Sequence, residues 1–160
     1  NDAPTLADFV AIACGACHNV GLRNDGTVAT WGRSSDGQRN DAPTLAGAVA
    51  IACGARHSVG LRNDGTVVTW GDVTDNQRND APTSAGFVAI ACGVDQSVAL
   101  RNDGTVVTWG DVADNQRNDA PTSAGFVAIA CGCWHSVALR NDGTVVTWGE
   151  DFQGQRNDAP

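Results

Sequence analysis

The feature that most constrains this chain is a repeat of 39 residues that runs from one end to the other. Residues 79–117 and 118–156 differ at only eight positions, and those positions fall in two tight clusters. Complete copies occupy residues 1–39, 40–78, 79–117 and 118–156, and residues 157–160 repeat the start of a fifth copy. Self-similarity at a fixed period predicts one supersecondary unit stacked on copies of itself. We therefore treat residues 1–160 as a single repeat domain.

Each copy contains three short strand patterns, and none shows helical periodicity over ten residues. In the third copy, the runs 87–92, 97–101 and 105–109 are apolar or rich in β-branched residues. Between the second and third runs, Asn102-Asp103-Gly104 is a hairpin sequence, because Asp and Gly accept positive φ. The chain is therefore predicted to be all-β, with three strands in each unit.

The first strand of each unit is apolar on both faces. With regular alternation, Val88 and Ile90 lie on one face, and Ala89 and Ala91 lie on the other. A sheet with one large and one small apolar face is typical of stacked β-propeller blades, since their close spacing needs a small face. The fold class that we predict is all-β: a β-propeller built of four near-identical 39-residue blades per chain.

The constant residues of the repeat carry a resemblance to a known family. Residues 57–71 read His-Ser-Val-Gly-Leu-Arg-Asn-Asp-Gly-Thr-Val-Val-Thr-Trp-Gly, after Ala-Ile-Ala-Cys-Gly at 50–54 and before a loop that ends in Gln. This string resembles the regulator of chromosome condensation repeat family. The short period and the Pro after the Gln are similar to the compact blades of its bacterial β-lactamase inhibitory members. The resemblance covers all four copies and implies a β-propeller. Family members usually close the propeller with seven blades, so four blades imply an open arc.

Strand direction places both variable clusters on one face. The clusters follow the first and third strands of each unit, whereas the constant Asn-Asp-Gly turn lies at the opposite end. Variation confined to one loop face of a rigid scaffold is typical of binding modules; neutral drift in tolerant loops is the alternative. The resemblance implies a partner surface built from loop aromatics, and here Trp134 and Phe152 are the large ones. The candidate binding residues are Cys17, His18, Arg56, His57, Asp95, Gln96, Trp134, His135, Asp151 and Phe152.

Composition argues against two classes of partner. The net charge is −8, with 18 acidic residues against 10 Lys and Arg, so we predict no binding to nucleic acid, which needs clustered positive charge. The chain has no apolar run of transmembrane length and shows no signal-peptide pattern, so we predict no membrane partner.

The repeat cysteines bear on the compartment. Cys14, Cys53, Cys92 and Cys131 sit in apolar runs, and we expect them to be buried, reduced and equivalent on the inner strand of each blade. Reduced thiols favour a reducing compartment such as the cytoplasm slightly over an oxidising one.

Two short motifs invite a chemical interpretation. Cys14 to His18 matches the C-x-x-C-H pattern of haem attachment, and its thiols also suggest zinc. Only Cys17 departs from the repeat, so we interpret the match as coincidence and predict neither cofactor nor metal. His57 and Ser58 are neighbours on a strand and point to opposite faces, so they form no catalytic dyad and we predict no enzyme. We interpret the Asp-rich loops 72–76 and 111–115 as solvated rather than as Ca²⁺ sites.

Three functional hypotheses remain open. The leading one is a non-catalytic β-propeller scaffold that binds a protein through its variable loop face. The second is a purely structural array, recently amplified or engineered, with no specific ligand. The third and weakest is an enzyme, and a weaker, narrower form of the first is a β-lactamase-inhibitor-like binder. A four-blade arc exposes a different apolar face at each end, which predicts head-to-tail contact between copies. We therefore predict a homodimer that forms one eight-bladed ring, with a closed four-bladed monomer as the rival.

Overall fold

In the computed structural model of the chain, residues 8–33, 35, 38, 42, 45–72, 79–110 and 119–156 are described. Within these ranges, twelve strands form four three-stranded antiparallel sheets, one for each repeat, which we number blades 1 to 4. The all-β propeller prediction is confirmed. None of the described segments forms a helix long and apolar enough to cross a membrane.

The strands recur in the same order in every blade. The first strands are β1 (Phe9–Cys14), β4 (Ala48–Cys53), β7 (Phe87–Cys92) and β10 (Phe126–Cys131). The second strands are β2 (His18–Arg23), β5 (His57–Arg62), β8 (Gln96–Arg101) and β11 (His135–Arg140). The third strands are β3 (Val28–Gly32), β6 (Val67–Gly71), β9 (Val106–Gly110) and β12 (Val145–Gly149). Because first strands of neighbouring blades contact one another, they form the inner row.

A β-bulge near the start of the first strand changes which residues share a face. The pairing of β7 with β8 shifts between Phe87 and Ala89, which leaves Val88 out of the alternation and 55% exposed. Phe87 and Ile90 then pack towards blade 2, whereas Ala89 packs towards blade 4. The prediction that Val88 and Ile90 share a face is therefore wrong, because an extra residue in a bulge inverts the alternation.

Each interface between blades joins two different surfaces. Between blades 2 and 3, a Val–Leu face of Val59, Leu61 and Val67 packs against a Trp face of Phe87, Ala99 and Trp109. The same pairing recurs with Val20 and Leu22 against Ala48 and Trp70, and with Val98 and Leu100 against Phe126 and Trp148. In blade 2, where Ala48 replaces the Phe, Leu45 is buried in the same cluster.

Main-chain hydrogen bonds join neighbouring blades at both ends of the sheets. Beyond the first strands, the N–H of Ala16 donates to the carbonyl of Ala55 (3.2 Å), that of Ala55 to Val94 (3.0 Å), and that of Val94 to Cys133 (2.9 Å). At the opposite end, three further bonds run from Ala48 to Gly26, from Phe87 to Gly65 and from Phe126 to Gly104. These two rows fix the angle between successive blades, since backbone groups buried in an interface need partners.

The constant Asn-Asp-Gly turn is stabilised by its own hydrogen bonds and lies close to the backbone of the next blade. The backbone N–H and hydroxyl of Thr105 both donate to Oδ1 of Asp103, at 2.9 and 2.7 Å. These bonds hold the pKa of the Asp103 carboxyl below its usual value. Gly104 has a φ of 79°, and a Cβ there would lie 2.8 Å from the nitrogen of Gly125 in the next blade. Both the conformation and the close approach require glycine.

The two ends of the array present the same surfaces without a neighbour. On blade 4, Leu139 of the Val–Leu face is 39% exposed, whereas its equivalent Leu61 is 3% exposed. On blade 1, Ile12 is 73% exposed and Trp31 is half-buried. A Cβ added at Gly143 would meet nothing within 4 Å, unlike those at the three equivalent turn glycines. Each end of the array therefore exposes a surface that is covered at the internal interfaces.

The expectation of four equivalent buried cysteines is wrong. All four lie on first strands. Cys14 is exposed, because no blade before blade 1 is present among the described residues to cover it, whereas Cys53, Cys92 and Cys131 are half-buried. Burial raises the pKa of Cys53 and of Cys131 to about 11, and that of Cys92 well above its usual value. The interface thiols are therefore protonated, and hence unreactive, at neutral pH.

Candidate binding surface

In blades 1, 2 and 4, main-chain hydrogen bonds hold the two variable loops side by side. The N–H of Arg33 donates to the carbonyl of Cys17 (2.8 Å), and the N–H of Glu150 donates to that of Trp134 (2.9 Å). In blade 2, Asp72 and Arg56 form the corresponding bond at 3.1 Å. The residues that follow the first and third strands therefore share one surface, which we call the variable face.

One cavity of the variable face, of about 340 Å³, lies over blades 1 to 3. It is lined by Ala16, Cys17, Arg33, Gln38, Ala55, Arg56, Val94 and Asp95. It brings together three of the predicted residues: Cys17, Arg56 and Asp95. Arg56 lies 3.7 Å from Asp72 with its side chain largely exposed, a geometry in which ion pairs contribute little.

A second cavity, of about 470 Å³, lies on blade 4. It is lined by Cys133, Trp134, His135, Glu150, Phe152, Gln153 and Gln155. Trp134 is 42% exposed and Phe152 is 82% exposed, so both rings are accessible to a partner. The predicted residue Asp151 lies in the same loop, where its Oδ1 accepts a 2.7 Å hydrogen bond from the backbone N–H of Arg156.

The two cavities occupy corresponding places in the repeat. The lining residues Cys133, Trp134, Glu150 and Gln155 are the equivalents of Ala16, Cys17, Arg33 and Gln38. The first cavity has a further wall, Ala55 and Arg56, from the blade that follows. No fifth blade follows blade 4 among the described residues, so the second cavity is open on that side.

Three predicted site residues are buried between blades instead of lining the variable face. The Nε2 atom of His18 lies 2.8 Å from the hydroxyl of Ser58 in the next blade, and His57 makes the same contact with Ser97. In the third blade, Nε2 of Gln96 donates to two backbone carbonyls of blade 4, at 3.3 and 3.4 Å. Each of the three side chains is almost fully buried. They join blades and have no surface to offer a partner.

Burial also sets the ionisation of these histidines. Desolvation lowers the pKa of His57 to about 4 and that of His18 below its usual value. Both rings are therefore neutral at pH 7. Ser58 pairs with His18 and not with its neighbour His57, as the strand alternation predicts. These His–Ser pairs are closed to substrate.

Several residues that line the cavities were not among the predicted site residues, including Arg33, Gln38 and Glu150. Arg33 and Glu150 occupy variable positions, so the signal was present, whereas Gln38 is constant in the repeat and gave none. Positions 34, 36, 37, 73–76 and 111–115 lie outside the described residues, so the interpretation of those loops stays a prediction. Within the described ranges, no group of three or more His, Cys, Asp or Glu side chains is placed to hold a metal ion.

Comparison with protein families gives one result that spans the repeats. The model of the "Regulator of chromosome condensation (RCC1) repeat" matches residues 9–38, 48–77, 87–117 and 126–155. Each match covers the three strands of one blade. A search among curated protein sequences finds no match.

Solved structures share the fold at low sequence identity. The ectodomain of the Arabidopsis thaliana receptor kinase ACR4 superposes with a TM-score of 0.75 and 23% identity, over 95% of this chain and 52% of its own. Prp20p of Saccharomyces cerevisiae, described with its binding properties to Gsp1p and histones, superposes with a TM-score of 0.74 and 22% identity, over 91% of this chain and 47% of its own. The computationally designed Ika4 protein superposes with a TM-score of 0.55 and 24% identity, over 93% of this chain and 94% of its own. The chain thus spans about half the length of these two natural proteins.

Proposed function

The chain belongs to the regulator of chromosome condensation (RCC1) repeat family, and from this membership we propose that it is a non-catalytic propeller module that binds another protein through its variable face. The family is generally a binding or regulatory module, and Prp20p, which shares the fold, binds Gsp1p and histones. The observation that carries the proposal is the pair of exposed aromatic side chains, Trp134 and Phe152, on the two variable loops of one blade. Aromatic anchors of this kind dominate the energetics of protein interfaces.

The chemistry of the blade 4 cavity indicates what the partner presents. Two aromatic rings line the cavity together with the carboxylate of Glu150, and Asp151 follows in the same loop. An apolar side chain fills such a cavity, and a neighbouring basic group meets the acidic rim. We therefore propose a protein segment in which an aromatic or branched apolar residue lies next to Lys or Arg.

The binding module is proposed to be complete only as a homodimer that forms one eight-bladed ring. The two exposed ends are complementary, because one is a Val–Leu face and the other is a Trp face, and these two faces pack together at every interface within the chain. A second copy in the same head-to-tail arrangement covers both ends if two arcs of four blades close. In that ring, Ala16 and Cys17 of the second copy stand beside the blade 4 cavity, where Ala55 and Arg56 stand beside the first one.

A binding experiment with matched variants tests the proposal. Peptides are selected from a displayed random library on the immobilised protein, and their affinity is then measured by calorimetry. We expect Trp134→Ala and Phe152→Ala each to raise Kd by about 5- to 150-fold, equivalent to about 1–3 kcal/mol. Asp103→Ala, in the constant turn at the opposite end of the sheets, is the control and leaves Kd unchanged.

Two outcomes count against protein binding at this face. Equal effects from the turn variant and the loop variants contradict the one-face proposal. A dimer that selects no peptide and captures no protein supports the alternative of a purely structural array. Inhibition assays with a purified β-lactamase test the narrower alternative of a β-lactamase-inhibitor-like binder.

A further inference from the structure

Two cysteines stand outside the repeat pattern, and they lie at opposite ends of the array. Cys17 belongs to the first variable loop of blade 1, and Cys133 belongs to the same loop of blade 4. Blades 2 and 3 have no cysteine in this loop. Both thiols are exposed, unlike the half-buried cysteines of the internal interfaces.

The row of main-chain hydrogen bonds at the variable face shows where these two loops meet in a ring. The N–H of each loop's first residue donates to the carbonyl of its equivalent in the next blade, and the last bond of the row runs from Val94 to Cys133 at 2.9 Å. Continued into a second copy, the next bond runs from the N–H of Cys133 to the carbonyl of Ala16. Cys17 follows that carbonyl directly, so it lies beside Cys133 across the junction.

Backbone dimensions define the separation. When the N–H of one residue donates to a carbonyl, its Cα lies roughly 5–7 Å from the Cα that follows the carbonyl. The Cα atoms of disulfide-bonded cysteines usually lie about 4.4–6.8 Å apart. The two distances overlap, and Val94 with Trp134 is the corresponding pair within the chain.

We propose that Cys133 of one copy and Cys17 of the second copy form a disulfide across each junction of the ring, two per dimer, and that this bond locks the dimer under oxidising conditions. The inference rests on the proposed head-to-tail ring. Each bond forms by thiol–disulfide exchange with a small disulfide such as oxidised glutathione. The two cysteine thiols lose two protons and two electrons, and the glutathione disulfide is reduced to two thiols. In a reducing compartment the disulfide is absent, and the apolar faces with the main-chain hydrogen bonds of the junction hold the dimer.

The experiment uses the full chain in two redox states. With dithiothreitol present, light scattering measures whether the dimer forms at all. Oxidised glutathione is then added, and non-reducing electrophoresis with peptide mass mapping identifies any linked cysteines. We expect a non-covalent dimer in the reduced sample and a covalent dimer, linked only through Cys17 and Cys133, in the oxidised one. On dilution the oxidised dimer stays intact, and dithiothreitol restores dissociation.

Matched variants separate the possible results. Cys17→Ser and Cys133→Ser each abolish the covalent dimer and retain the reduced dimer. A control tests the geometry within one chain. It carries Val94→Cys and Trp134→Cys, with Cys17→Ser and Cys133→Ser to remove the native pair, and we expect its two new cysteines to form the corresponding disulfide. A chain that dimerises when reduced but shows no Cys17–Cys133 link after oxidation overturns the disulfide and leaves the ring standing. Links within one chain, such as Cys14 to Cys17, also overturn it. A monomer in the reduced sample overturns the ring itself.

Discussion

The three internal interfaces and the two ends of the array are built from equivalent strand positions in different surroundings. Leu61 and Leu139 occupy equivalent positions, yet the first is 3% exposed and the second 39%. Trp109 is buried against blade 2, whereas Trp31, its equivalent on blade 1, is only half-buried. The strands that present these side chains pair in the same register in every blade. The end positions have no neighbouring blade among the described residues, and their exposure indicates that a single blade does not bury its own apolar faces.

The largest expected effect compares Trp109 with Trp31. We expect Trp109→Ala to lower the free energy of unfolding by about 3–5 kcal/mol, because it empties a fully packed site. Trp31→Ala lowers that of the dissociated chain by less than half as much, since the ring there is already partly hydrated. Urea denaturation, at a protein concentration low enough to keep the chain monomeric, measures the free energy of unfolding of both variants. Equal losses contradict the difference between internal and end faces.

The second prediction concerns the buried histidine of an internal interface. The pKa of His57 is about 4 in the folded chain against an ordinary value of 6.5, so the unfolded chain takes up the proton first. The free energy of unfolding is therefore unaffected by the protonation of His57 above pH 6.5 and decreases as the pH falls towards 4, where the decrease reaches about 3 kcal/mol. Chemical denaturation at a series of pH values measures it.

His57→Gln is the matched control, because the third blade already carries Gln96 at this position. The variant has no group to titrate there, so its stability falls less steeply over the same pH range. If the wild-type chain and the His57→Gln variant show the same pH dependence of stability, His57 is not a buried neutral group in the interface between blades 2 and 3.

A smaller effect compares two glycines of the constant turn. Gly104→Ala places a Cβ against Gly125 of the next blade, whereas Gly143→Ala meets nothing, and both residues have positive φ. We expect Gly143→Ala to cost about 1–2 kcal/mol in the dissociated chain, from the left-handed conformation alone. Gly104→Ala costs more because the collision adds to that strain. Thermal unfolding of both variants at low protein concentration ranks them, and the reverse order contradicts the role of the next blade.

Much of the fold was predictable from local patterns. The 39-residue period and the Asn-Asp-Gly turn predicted the three strands of each blade, because strand alternation and hairpin chemistry depend on a few adjacent residues. The bulge at Val88 was not predictable, because an apolar run shows the same letters whether or not one residue is skipped. Its consequence, the wrong face for Val88, follows from that single unpaired residue.

The candidate site was predictable only in part. Variation between copies identified the loops that carry Trp134 and Phe152, and the structure places both beside one cavity. The hydrogen-bond partners of His18, His57 and Gln96 were not predictable, because they lie in the next blade, 36 to 40 residues away in sequence. Likewise, the exposure of Cys14 follows from its place at the end of the array, which a repeat sequence does not encode.

The most direct test of the account is the mass of the reduced particle in solution. We expect multi-angle light scattering to give about 33 kDa, twice the 16.5 kDa chain, because in the proposed ring the Val–Leu face of blade 4 meets the Trp face of blade 1 in a second copy. Leu139→Asp puts a charge into that contact, and we expect it to give a folded 16.5 kDa monomer with an unchanged far-UV spectrum. A wild-type chain that stays monomeric at every concentration, or a Leu139→Asp variant that remains a dimer, contradicts the account.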